Sequence, residues 1–224
     1  MLFRSYEELG RTEEAIAAYG TAIARSPNSA AAHVNLAAID LKAGRAKEAV
    51  EHLQLALRAQ PTMPKALAML GEMEMEAGRM DSAAQYLRPL YRFYPGMPRA
   101  IRAMAHWHVL TGSASAEKNR FEEAEREYQH ALTIDPDSVD AHGKLGVLYG
   151  QNGRFTEALA SFQAVHRLQP ADPRPTVFMG MTYAQLGRKN DARRILAEGE
   201  QLAMKAGNAE MAARCRELLR RLDE

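Results

Sequence analysis

The chain has 224 residues, with 29 Lys and Arg against 28 Asp and Glu and a formal net charge of +1. That balance leaves no electrostatic footprint for nucleic acid or an anionic membrane surface, and although 46% of the residues are hydrophobic, no run approaches the roughly 18 apolar residues of a membrane span. The single cysteine, Cys215, excludes an internal disulfide framework and any zinc site built from several thiolates.

Ala, Leu, Glu, Arg, Gln and Met dominate, β-branched residues are sparse, and no stretch alternates with period two, so the chain reads as all-α. Met1–Ser5 carries no long apolar core or small-residue cleavage site, and the compartment is cytoplasmic by default. Taken in order, Gly10, Gly44, Gly78 and Gly112 fall 34 residues apart, as do Ala15, Ala49 and Ala83, and Pro27, Pro61 and Pro95. A second phase follows with Gly153 and Gly187, Ala124, Ala158 and Ala192, and Pro136 and Pro170, displaced by seven residues. Chance does not place three residue types on one period. The glycine ends a first helix in the left-handed conformation, the alanine lets a second helix approach closely, and the proline closes it. Such a helix–turn–helix unit cannot bury its apolar face alone, so units stack.

The units are expected at about 1–29, 30–63, 64–97, 98–138, 139–172 and 173–206. The first begins part-way through its first helix, so the array is expected to be open at Met1, with the natural start upstream. In the next two, Asp40 and Glu74 stand at the end of the first helix and are expected to loosen its packing. The fourth holds the seven extra residues, around Gly112–Lys118, read either as a backward extension of the second helix or as a flexible Ser/Ala loop. After Gly207-Asn208, Ala209–Leu222 forms a last helix with an apolar stripe of Met211, Cys215, Leu218, Leu219 and Leu222, a fitting cap over 207–224.

The pattern resembles the tetratricopeptide repeat over nearly the whole chain, on Leu70-Gly71, Gly78-Arg79, Ala83 and Pro95, and again on Leu145-Gly146-Val147-Leu148-Tyr149, Gly153-Arg154-Phe155, Ala158, Phe162 and Pro170. The resemblance implies a right-handed superhelical solenoid of antiparallel helix pairs whose first helices line a concave groove for a protein or peptide. Projected onto that geometry, the groove is carried by Asn35, Lys65, Met69, Arg102, His106, Lys144, Arg174 and Phe178, with Val147, Gly143 and Met181 among its apolar and small residues. The dicarboxylate clamp of some such domains is matched only by Asn35 and Lys65; Arg4 and Met69 replace two of its residues, so chaperone-tail recognition is not expected.

Nothing in the residues points to catalysis, a cofactor or a metal. Gly143-Lys144-Leu145-Gly146 lacks the spacing of a phosphate loop and reads as helix-packing glycines. His106 and His108 flank Trp107 but, two apart on a helix, point in different directions. Cys215 reads as a buried inert thiol. The expected function is a non-enzymatic interaction scaffold, with no nucleic acid and no membrane insertion. The alternative is a substrate-recruiting arm of a larger enzyme, such as a glycosyltransferase, sulfatase or kinase, encoded upstream. The open N-terminal edge is a candidate surface for self-association.

Overall fold

Six helix ends among residues 12–223, the residues that this computed structural model describes, are built alike. Gly44, Gly78, Asn119, Gly153, Gly187 and Gly207 all have φ between 57° and 75°. After each, the next backbone N–H turns back to the carbonyl five residues earlier, as in Arg45 N–H to Asp40 O at 2.8 Å and Arg154 N–H to Tyr149 O at 2.9 Å. This closure satisfies carbonyls that a helix C-terminus leaves without partners. The second kind of corner carries the prolines: Gln60-Pro61-Thr62-Met63 closes with Met63 N–H to Gln60 O at 3.0 Å, proline presetting φ for the turn.

Among the described residues these corners separate twelve helices: α1 (Thr12–Arg25), α2 (Ala30–Lys42), α3 (Ala46–Ala59), α4 (Pro64–Glu76), α5 (Met80–Phe93), α6 (Pro98–Glu117), α7 (Phe121–Ile134), α8 (Val139–Gln151), α9 (Phe155–Leu168), α10 (Arg174–Gln185), α11 (Lys189–Lys205) and α12 (Ala209–Asp223). No strand occurs among the described residues. The helices fall into two compact units that divide within α6, between Trp107 and His108. The expected open edge at Met1 lies outside the described residues.

In the first unit, Val34 and Ala37 of α2, Leu53 and Ala56 of α3, and Met69 and Leu70 of α4 form one core cluster. Trp107 is buried and donates its indole N–H to Met80 O at 2.9 Å. His33 Nε2 lies 3.1 Å from Pro27 O; because a carbonyl only accepts, that nitrogen carries the proton. His142 repeats the contact on Pro136 O in the second unit.

Asp40 and Glu74 do not loosen the helix ends they occupy. Arg45 Nε and Nη2 both donate to Asp40 Oδ1, at 2.9 and 2.8 Å, and Arg79 grips Glu74 at 2.6 and 3.1 Å. In the second unit the same two places hold a tyrosine and an arginine, with the Arg154 guanidinium 4.3 Å from the Tyr149 ring centre and Arg188 4.7 Å from that of Tyr183. Each arginine thus braces the turn through its backbone N–H and its side chain, against either a carboxylate or a ring face. Asp40 is only 8% exposed, so Arg45→Met strands a nearly buried charge. It is expected to cost about 1–2 kcal/mol, and Arg79→Met, at a more open pair, distinctly less; thermal unfolding followed by circular dichroism ranks the two.

The seven extra residues enter the first helix of their pair, not the second and not a loop. α6 has 20 residues where α4 and α8 have 13, and α7 begins only at Phe121. Gly112 lies inside α6, where a Cβ would meet the Tyr128 ring at 2.7 Å. The turn is made by Asn119, at φ 57°, asparagine being one of the few non-glycine residues that enter this region readily. Ser115, expected in a flexible stretch, is 6% exposed.

In the second unit the pairs α8–α9 and α10–α11 are drawn together by glycines facing large side chains: Gly146 against Phe162 and Gly180 against Leu196. On α12, Cys215 and Ala212 are fully packed, Met211, Leu218 and Leu219 are half-buried, and Arg214, Arg216, Arg220 and Arg221 are exposed. Burial pushes the Cys215 thiol up, which keeps it protonated and unreactive.

Candidate functional site

α8 and α10 are the first helices of successive pairs, and the second helix α9 packs on both. α8 starts from a Ser138 cap, whose Oγ accepts from Ala141 N–H at 3.4 Å. Asp140 in its first turn complements the helix dipole. Gly143, Val147 and Gly150 then follow at spacings of four and three, on one face. α10 is started by Asp172, whose Oδ1 accepts the Arg174 backbone N–H at 2.9 Å, and it presents Arg174, Phe178, Met181 and Gln185 along one side.

Between the two helices lies a groove with an apolar floor. Phe162 rises from α9 and stacks on Phe178, ring centres 5.0 Å apart and planes 15° from parallel. Val147, Phe178 and Met181 remain 40%, 42% and 43% exposed, unusual values for large apolar side chains. Two hollows of about 350 and 420 Å³ share Val147, Phe162 and Phe178 as lining. The first extends over Lys144, Val165 and Arg174; the second extends to Gln151, Met181 and Gln185. Gly143 has no atom within 4 Å of where its Cβ would be, and Gly150 only Ala158 at 4.0 Å. The α8 face is therefore bare backbone on either side of Val147. Gly143 does not pack against another helix, as the sequence suggested; Gly146 does.

Three family models match the sequence, all of tetratricopeptide repeats, over residues 1–64 and 41–98, over 112–153 and over 151–215. The chain belongs to the tetratricopeptide-repeat family. No curated protein sequence gives a match. Among solved structures, PilF of Pseudomonas aeruginosa is similar with a TM-score of 0.65 and 18% identity over 96% of this chain and 94% of that one. YrrB, described as a tetratricopeptide protein with an unusual peptide-binding site, scores 0.58 at 18% identity over 89% and 98%. MamA scores 0.59 at 19% identity over 82% and 97%. Likeness at these identities concerns the fold. Tetratricopeptide proteins are in general non-catalytic interaction scaffolds, and this chain has that architecture.

Within the repeat, the eight residues expected in a groove have different fates. Lys144, Arg174 and Phe178 come together in the α8–α10 groove. Arg102 and His106 are exposed on the first half of α6. Asn35 and Lys65 bond to one another, Nζ donating to Oδ1 at 2.9 Å, a link between neighbouring first helices. Met69 is 6% exposed and belongs to the first unit's core; its place on α4 is closed over by neighbours, so it lines no groove. Phe162, Val165, Gln151 and Gln185 were not anticipated. Phe162 was legible as a repeat hallmark, but its second contact, with Phe178, depends on the next pair.

Electrostatically the groove is balanced but unevenly engaged. Arg174 is held by Asp172, with Nη2 to Oδ2 at 2.7 Å. Burial alone would raise the Asp172 carboxyl, yet the side-chain and backbone hydrogen bonds from Arg174 outweigh it and hold the group below the usual aspartate value. Lys144 is exposed and makes no hydrogen bond or ion pair among the described residues, although Asp140 precedes it by one turn on α8. Among those residues no three His, Cys, Asp or Glu side chains gather as metal ligands, and no helix is long and apolar enough to cross a membrane.

Proposed function

We propose that this protein is a non-catalytic scaffold that captures a partner protein by seating a peptide or helical segment of it in the groove between α8 and α10. The observation that carries the reading is the convergence of Val147, Phe178 and Met181, all about 40% exposed, over the buried Phe162 ring. Soluble proteins seldom leave several large apolar groups together in a channel unless something covers them. YrrB, a protein of similar fold, is described as having an unusual peptide-binding site, which supports the reading.

A photo-crosslinking amino acid at Val147 tests the proposal, with the same probe at the exposed Ala160 of α9 as control. A discrete adduct is expected from position 147 alone. Phe178→Ala in the same chain is expected to weaken its capture by about tenfold or more, the typical loss at a central aromatic anchor, with helicity unchanged. Equal adducts from both positions, or adducts at 147 indifferent to Phe178→Ala, would remove the groove from the function.

A further inference from the structure

The groove carries a cation, Lys144, that no hydrogen bond or ion pair engages among the described residues. In the first unit, the basic residues opening α4 and α6 are each taken up by the first helix of the preceding pair. Lys65 bonds to Asn35 at 2.9 Å, and Arg99 makes a two-pronged pair with Glu72 at 2.9 and 2.6 Å. Asn35 and Glu72 stand six and nine residues into their repeats. The residues at those places in α8 are Lys144 and Val147, neither of which is an acceptor for Arg174. Arg174 turns to Asp172 in its own leading loop, and Lys144 is left facing the hollow floored by Phe162 and Phe178.

We infer that the groove selects a peptide segment bearing a carboxylate within a few residues of a bulky apolar side chain, the carboxylate meeting Lys144 and the apolar group lying on Val147 and Phe178. This rests on the groove reading above and sharpens it. Three observations support it together. Lys144 lies one turn from Val147 on the same helix, so one short segment reaches both. The nearby carboxylates are differently placed: Asp172 is occupied by Arg174, and Asp140 sits at the α8 N-terminus, where the helix dipole already favours its charge. Around Gly143 the helix surface is bare, so a ligand backbone can come close enough for its side chain to reach the ammonium.

The test uses fluorescence polarisation with the full chain. The probes are labelled pentapeptides with Phe or Leu at the centre and Glu, Gln or Lys placed one or two residues to either side. Glu peptides are expected to bind about three- to tenfold more tightly than their Gln counterparts, the range for a charge-assisted contact at a partly open site, and the preference is expected to shrink as salt is raised. Lys144→Gln, at an exposed helical position, is expected to abolish the preference while leaving the Gln peptides unaffected. Lys144→Glu is expected to transfer it to the Lys peptides. Asp172→Asn, which keeps an acceptor for the α10 start and frees Arg174, is expected to enhance it. If Phe178→Ala abolishes binding but Glu and Gln peptides bind the wild type equally, the groove stands and acid selection is wrong. If no peptide binds in a Phe178-dependent way, the groove reading falls, and the acid selection with it.

Discussion

Gly143→Ala is expected to raise the melting temperature of this protein by about 2 °C, while Gly146→Val, three residues along the same helix, lowers it by about 5–10 °C. Both glycines lie inside α8, where an alanine lowers the backbone entropy lost on folding by roughly 0.5–1 kcal/mol. At Gly143 nothing stands in the way, since no atom lies within 4 Å of the added Cβ. At Gly146 the added atom would fall 2.6 Å from Phe162 Cε1 and 2.8 Å from Cδ1. The ring has little room to yield, because it is also stacked on Phe178 at 5.0 Å. Overpacking of this kind costs about 1–3 kcal/mol, and a β-branched side chain adds a stiff rotamer. At the roughly 2–4 °C per kcal/mol typical of chains of this size, the two shifts differ in sign and are readily resolved by circular dichroism at 222 nm. A loss at both positions would mean that α8 is closely approached along its whole length and that the open shelf beside Val147 does not exist.

The 34-residue step was enough to read helix pairs, their turns and their closing prolines, because each depends on a local backbone requirement. It misled at one place for an arithmetical reason. The turn residue follows the close-packing glycine by seven residues, as in Gly71 and Gly78, Gly146 and Gly153, and Gly180 and Gly187. The insertion is also seven residues long, so Gly112, a packing glycine, occupies the place where an uninterrupted register would put a turn. Asn119, the true turn residue, was hidden by not being glycine. Asp40 and Glu74 were misread because a single position shows a missing aromatic but not the arginine five residues on that replaces its contact. The groove was partly legible: Lys144, Arg174 and Phe178 follow from their places in the repeat. Met69 stands at the same place as Lys144 and Phe178 yet is buried. What surrounds a position depends on side chains of the neighbouring helices and repeats, and the period carries no record of them.

The largest single loss is expected from Leu196→Ala, and its size should depend on Gly180. Leu196 is 1% exposed, and its Cγ and Cδ2 lie 2.5 and 2.6 Å from where a Cβ on Gly180 would be. Truncating a buried leucine costs about 2–5 kcal/mol, according to how far the surroundings collapse. Here α10 and α11 are already as close as a glycine permits, so little collapse is available and about 3–4 kcal/mol is expected. Gly180→Ala alone is expected to cost about 1–2 kcal/mol through the clash. In the double variant the alanine methyl enters the space the leucine has left, so the combined loss should fall short of the sum by at least about 1 kcal/mol, the coupling shown by residues sharing one cavity. The same cycle on Gly71 and Leu87 in the first unit, where the contact is 2.4 Å from Leu87 Cδ2, is expected to give the same sign. Additive losses at both places would show that direct contact is not what requires glycine in this row. Coupling at Gly180 would tie the groove to the core behind it: Phe178 and Met181 keep their places over Phe162 only while α10 lies close against α11, and that distance is set by Leu196 resting where a side chain on residue 180 would otherwise be.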